Sequence, residues 1–288
     1  MVSFLIGSGR CGSTMLYKVL AGHPDVRFLS NVDDRVRLLP GTIGRCQGML
    51  YRHTPARWSG WRLRPSEGQR VLAREVSPAL VDPFRDLTNA DLTPWMARRV
   101  RDFFDGLAAD RGGRVVHKFT GWPRVALLHE VFPRARFVHI VRDGRAVANS
   151  WLQTPWWRGH LGEEGWGLGP LPEAYAREWD GEGRCLVHLA AIGWKMLMDA
   201  FEEARAGLAP DLWLQVRYED LLADPRKQVD VILDFLGLPW TAAFERGFLA
   251  RSFTADRLRG FQDELTPDQL ARLNRSLGVH LGELGYRV

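Results

Sequence analysis

The chain has 288 residues, 45% of them hydrophobic and 25% charged, which is enough to bury a full core, and we read residues 1–288 as one domain. No apolar run approaches the roughly 20 residues of a membrane span, and residues 2–6 fall short of the ~7–15-residue apolar stretch of a signal peptide, so a cytoplasmic protein without a membrane span is expected. The formal charge of +5 rests almost wholly on arginine, because Lys18, Lys118, Lys195 and Lys227 are the only lysines. Arginine's planar fork suits bidentate contacts to phosphate and sulfate, whereas the absence of basic runs and zinc-finger spacing argues against nucleic acid. Cys11, Cys46 and Cys185 are odd in number and widely spaced, which points to a reducing compartment and no metal site.

In chain order, residues 3–6 read as a short buried strand, Gly7-Ser-Gly-Arg-Cys-Gly-Ser-Thr14 as a glycine-rich turn, and residues 15–20 as a helix stopped by His23-Pro24. Gly112-Gly113 precedes a second strand at 114–118, and a helix over 123–131 begins at a proline. Residues 136–141, rich in β-branched and aromatic side chains, form a third strand, after which Asp143 caps a helix to about Trp151. The glycine- and proline-rich stretch 154–172, with Trp156, Trp157 and Trp166, suits a long surface loop or lid. Then come a long helix (186–206), a strand (212–216), an amphipathic helix from Asp224-Pro225 to Gly237, and a last helix opened by Thr266-Pro-Asp-Gln. This order implies an α/β fold with a mainly parallel sheet flanked by helices.

Two segments suggest chemistry. Gly7-x-x-x-x-Gly12-Ser13-Thr14 keeps the frame of a phosphate-binding P-loop but carries Ser13 where the lysine belongs. Backbone amides of such a loop at a helix N-terminus cradle a phosphate whatever the nucleotide, while the missing lysine disfavours ATP with magnesium. Arg10 restores a cation. The second segment, Arg142-Asp-Gly-Arg-Ala-Val-Ala-Asn-Ser150, sets an arginine at a strand's carboxyl edge and a hydroxyl two turns into the next helix, a clamp for a separate phosphate. Each segment also serves as a plain structural turn or helix cap.

Together the loop and the R-x(7)-S segment resemble the PAPS-dependent sulfotransferase superfamily (PAPS, 3′-phosphoadenosine-5′-phosphosulfate), and the resemblance spans most of the chain. Val216-Arg-Tyr-Glu-Asp-Leu-Leu-Ala-Asp-Pro225 looks like that family's Y-E-D-L segment, and Leu284-Gly-Tyr286 is similar to the ending of bacterial members. The resemblance implies a P-loop-like nucleotide-binding fold, PAPS as co-substrate without metal, and a small-molecule, glycan or natural-product acceptor. It assigns Gly9, Arg10, Cys11, Gly12, Ser13 and Thr14 to the 5′-phosphosulfate, Arg142 and Ser150 to the 3′-phosphate, and Tyr218 to the nucleotide. Arg10 is then the cation that stabilises the leaving group.

The general base departs from a familiar pattern. Cytosolic small-molecule sulfotransferases carry K-T-H, where this chain reads Lys118-Phe119-Thr120, and strand alternation turns His117 away from Lys118. Tyrosylprotein enzymes take an acidic residue shortly after H-P-D-V, so His23-Pro-Asp-Val26 makes Asp33 or Asp34 the expected base here. A solvated turn or an ion pair with Arg35 accounts for these aspartates equally well. Trp58, Trp61, Trp122, Trp156 and Trp157 are candidates for the acceptor pocket or for core, and His53 and His139 read as structural. The competing functions are a P-loop small-molecule phosphotransferase and a non-catalytic polyanion binder.

Overall fold

Alternation along the strands sorts the side chains into two cores. In the computed structural model, which describes residues 1–35, 48, 50–52, 63–108, 113–254 and 258–287, five parallel strands form one sheet. They are β1 (Val2–Gly7), β2 (Val26–Arg27), β3 (Arg114–Thr120), β4 (Arg136–Val141) and β5 (Trp213–Arg217), in the spatial order β2-β3-β1-β4-β5. Phe4, Ile6, Val115, Phe119 and Phe137 enter one core, while Leu5, Val116, Val138 and Ile140 enter the other. Burial on both faces explains why the strands read as nearly continuous apolar runs.

The helices used below are α1 (Ser13–Leu20), α2 (Asn31–Arg35), α3 (Gln69–Glu75), α4 (Pro94–Ala108), α5 (Val125–Val131), α6 (Gly144–Leu152), α7 (Glu173–Gly181), α8 (Leu186–Ala206), α9 (Tyr218–Ala223), α10 (Pro225–Leu236) and α11 (Pro267–Glu283). Apolar residues of α1 and α10 cover the face that carries Leu5, and those of α4, α5, α6, α8 and α11 build the core around Phe4. Among the described residues, no helix is long and apolar enough to cross a membrane. Behind α8, Glu178 of α7 accepts hydrogen bonds from His188, Lys195 and Ser276 and so ties α7, α8 and α11 together.

Phe4 sits at the centre of the larger core, with Phe137 stacked at 5.5 Å and Phe104 edge-on at 5.5 Å. Its side chain is fully buried. Phe4→Ala is expected to cost about 3–5 kcal/mol, the usual range for a buried phenylalanine, read as a lower midpoint in chemical denaturation. A loss below about 1 kcal/mol would mean that the core does not pack around this ring.

Candidate active site

Because the strands are parallel, their carboxyl ends share one edge, and the strand order changes direction at β1. The loop after β1, residues 120–122 after β3, Arg142 after β4 and Tyr218 after β5 all emerge there. The register pairs Gly7 with Thr120, and the Gly121 amide donates to the Gly7 carbonyl at 3.0 Å.

The loop between β1 and α1 is built on left-handed residues: φ is +77° at Gly9, +56° at Arg10 and +90° at Gly12. Such turns bring successive amides to one side and form a concavity for an anion. Gly12 is the N-cap of α1 and supplies no side-chain cap, and the first turn of α1 carries no acidic residue. The positive end of α1 therefore stands open to a negative ligand. By contrast, Asp143 caps α6 by accepting from the Arg145 amide. The Cys11 side chain is buried at the back of the loop.

The two segments singled out in the sequence meet here. Arg10 Nε donates to Ser150 Oγ at 2.9 Å, and Arg142 Nη1 donates to the Arg10 carbonyl at 3.0 Å. The Arg142 guanidinium lies 5.0 Å from the centre of the Tyr218 ring. Tyr218 in turn closes over Gly12: a Cβ at that glycine would fall 2.1 Å from the ring.

A cavity of about 860 Å³ runs from this loop, past Arg142 and Tyr218, to an aromatic wall. Trp122, Trp151, Trp156, Trp157 and Trp166 line it, Trp151 close to the loop itself, where a Cβ at Gly9 would lie 3.9 Å from its indole nitrogen. Trp151 and Trp166 are seated against Gly193 of α8, where an added Cβ would lie 3.0 Å from each ring, so the wall is fixed by close packing rather than by the segment 154–172 alone. Trp122 and Trp157 thus belong both to the core and to the cavity wall. Trp58, Trp61, His53 and Cys46 lie outside the described residues.

The same cavity is lined by a polar group the sequence did not flag. Lys118 Nζ donates to Thr14 Oγ1 at 2.9 Å and pairs with Glu67 Oε1 at 2.7 Å, while Thr120 Oγ1 donates to Glu67 Oε2 at 2.9 Å. The Lys118 side chain is 7% exposed and that of Glu67 22%, so the pair is largely withdrawn from water yet open to the cavity. As alternation predicts, His117 points into the opposite core against Phe119 and Phe104, where burial pushes its pKa down to about 3. His139 is stacked on Phe201 and is held down at about 4 by burial as well.

Asp33 and Asp34 stand apart from the cavity. Asp33 is buried and accepts from the Ser30 amide and hydroxyl at 2.7 and 2.8 Å, closing the turn into α2. Asp34 accepts from the amides of Arg70 and Val71 at 2.8 and 3.2 Å and thereby caps α3 from outside, because its own N-cap, Gly68, has no side chain. Glu67 immediately precedes that glycine. The aspartates thus brace the segment from which Glu67 projects. The only local cue to Glu67 is an acidic residue ahead of a helix-opening glycine, and its partners lie 51 and 53 positions further along the chain.

With this geometry in place, the comparisons with known proteins are decisive. Residues 3–242 match the model of the Sulfotransferase family. The chain belongs to that family. It is 31% identical over 115 residues to the omega-hydroxy-beta-dihydromenaquinone-9 sulfotransferase Stf3 of Mycobacterium bovis, covering 40% of this chain and 26% of that protein. It is 24% identical over 238 residues to protein-tyrosine sulfotransferase A of Caenorhabditis elegans, covering 82% of this chain and 50% of the relative. The chain therefore spans about a quarter to a half of the length of these curated relatives. Among solved structures it resembles sulfotransferase STF9 of Mycobacterium avium, with a TM-score of 0.62 at 17% identity over 99% of this chain and 77% of the other. The sulfotransferase domain of the Synechococcus PCC 7002 olefin synthase superimposes with a TM-score of 0.51 at 19% identity, over 96% of this chain and 94% of that one. These structural likenesses establish the shared fold.

Gly12 tests the loop. Gly12→Ala must hold φ near +90° and press a methyl group into Tyr218, so a loss of about 1–2 kcal/mol or more is expected from the backbone alone. Thermal unfolding reads it, and an unchanged midpoint would mean that the loop readily takes another shape.

Proposed function

We propose that this protein moves a sulfuryl group from PAPS to a hydroxyl or amine of an acceptor seated against the tryptophan wall, leaving 3′,5′-diphosphoadenosine. The observation that carries the reading is the joint between the two anion-binding segments, in which Arg10 reaches Ser150 and Arg142 reaches the Arg10 carbonyl. One ligand bearing two separated phosphates accounts for both at once. PAPS supplies sulfur activated by its bond to the 5′-phosphate oxygen; that bond breaks as the acceptor oxygen or nitrogen bonds to sulfur.

The chain's own groups divide the work. The amides of residues 9–14, with Ser13 and Thr14, hold the 5′-phosphate at the open end of α1. Arg142 and Ser150 grip the 3′-phosphate, and Tyr218 bounds the nucleotide from the β5 side. Arg10 offsets the charge that builds on the leaving phosphate, the usual task of a preorganised donor. We assign the general base to Glu67 rather than to Asp33 or Asp34, whose carboxylates are engaged by backbone amides. Lys118 bridges Thr14 of the loop and Glu67, so one ammonium touches both the nucleotide end and the base. It holds the carboxylate in place to take the acceptor's proton. The aromatic wall takes the apolar body of the acceptor. A hydroxyl acceptor agrees with the names of both curated relatives, one a hydroxylated menaquinone enzyme and the other a protein-tyrosine enzyme.

The nucleotide is tested by thermal shift and calorimetry. If charge-assisted contacts to the 3′-phosphate contribute ~1.5–3 kcal/mol each, 3′,5′-diphosphoadenosine binds at least about tenfold tighter than 5′-AMP, without metal. Equal affinities, or a preference for ATP with magnesium, would remove the basis for a PAPS site.

The base is tested by substitution. Glu67→Gln keeps the volume and an acceptor oxygen but takes up no proton at neutral pH, so transfer of labelled sulfate should fall by ~10²–10⁴-fold while diphosphoadenosine binding persists. Asp33→Asn should lower stability yet leave the rate per folded molecule within about threefold, as for a group outside the chemistry. The reverse pattern would return the base to Asp33.

A further inference from the structure

The segment that follows α11 ends beside the first turn of α6. Gly285, with φ +74°, turns the chain after α11, and the Tyr286 amide returns to the Leu281 carbonyl at 2.8 Å. Tyr286 is thereby folded inward and is 7% exposed. Its hydroxyl donates to Glu219 Oε2 at 2.8 Å, and its ring lies under the Arg217 guanidinium at 4.2 Å. Burial and the Glu219 carboxylate push the phenol well above the ordinary tyrosine range, so it keeps its proton and remains a donor.

Glu219 follows Tyr218 directly, and its other oxygen, Oε1, accepts from the Asp143 amide at 3.1 Å. Asp143 follows Arg142. A single carboxylate therefore ties together the backbone beside Arg142, the residue after Tyr218 and the segment after α11. A second tether runs parallel: Arg145 donates to both oxygens of Asp143, to Asn274 Oδ1 at 2.9 Å and to the Arg287 carbonyl at 2.8 Å. A carboxylate close to a phosphate subsite is unfavourable by charge alone. Its two hydrogen bonds give it instead a geometric task, that of fixing the strand end from which Arg142 projects.

We propose that Tyr286 is a positioning residue for the 3′-phosphate subsite, acting through Glu219 on the backbone at Asp143. The proposal rests on the reading that Arg142 and Ser150 take that phosphate. Tyr286 touches no part of the ligand in this scheme. It holds Glu219, which holds the Asp143 amide, and this presets the direction of the Arg142 guanidinium over Tyr218.

The discriminating measurement is the ratio of affinities for 3′,5′-diphosphoadenosine and 5′-AMP in the full chain, by calorimetry. Tyr286→Phe removes only the hydroxyl and leaves the ring beneath Arg217. The ratio is expected to fall about three- to tenfold, the loss of one hydrogen bond's worth of preorganisation, with AMP affinity unchanged. The KM for PAPS should rise by a similar factor, with kcat at saturating PAPS within about twofold of the parent. In a Glu219→Ala background, Tyr286→Phe should change the ratio no further, because the relay is already broken. An unchanged ratio in Tyr286→Phe, even with a lower melting temperature, would show that the tyrosine is only a fold staple, and an equal further loss in the Glu219→Ala background would show that it does not act through Glu219. Absence of any preference for diphosphoadenosine in the parent protein overturns the 3′-phosphate reading itself, and is seen before any variant is made.

Discussion

Five strands running in one direction leave all their carboxyl ends, with the peptide carbonyls and side chains that follow, on a single edge of the sheet. This constraint organises everything else. The phosphate-type loop, Thr120, Arg142 and Tyr218 are 7 to 217 positions along the chain at their strand ends, yet parallel pairing makes them neighbours. The alternation of each strand then decides which residue at that edge serves the cavity. Lys118 reaches Thr14 on one face, while His117, one residue earlier, is committed to the aromatic core on the other.

The edge is electrostatically unbalanced by design of its backbone. An uncapped helix start, three left-handed residues and the guanidinium groups of Arg10 and Arg142 gather positive potential at one place. Burying the Lys118–Glu67 pair is of little value for stability, since desolvation consumes much of what the pairing returns. The pair instead lines the same cavity as the loop and the tryptophans, with its carboxylate and ammonium both facing that space. Thr120 supplies the remaining hydrogen bond and fixes the carboxylate's orientation.

Supporting contacts hold this arrangement from outside. Asp34 caps α3 and so fixes the turn that carries Glu67, in the same way that Glu219 fixes the strand end that carries Arg142. Asp34 meets two backbone amides, and Glu219 meets one while its other oxygen takes the Tyr286 hydroxyl. Glycines play the complementary role where bulk must be absent, at Gly12 beneath Tyr218 and at Gly193 beneath the aromatic wall.

The sequence by itself determined the α/β class, the order of its main strands and the places of the glycine-rich loop and the Arg142–Ser150 segment, because strand runs, glycine turns and helix caps are local signals. The two-residue β2 and several helices, among them Pro94–Ala108 and Glu173–Gly181, escaped that reading. The expectation for His117 also followed from local alternation. The surroundings of the carboxylates did not. Asp33 and Asp34 follow a motif that looks like a catalytic position, but whether an acidic side chain meets a backbone amide or an open cavity depends on which distant segments pack against it. Glu67 lies in a turn with no pattern of its own, and it meets Lys118 and Thr120 only once the segment ahead of α3 has folded onto the end of β3. The same holds for Tyr286, whose hydroxyl finds Glu219 67 residues away. Periodicity encodes which face a residue takes within its own element, whereas contacts between elements are decided only when the chain has closed.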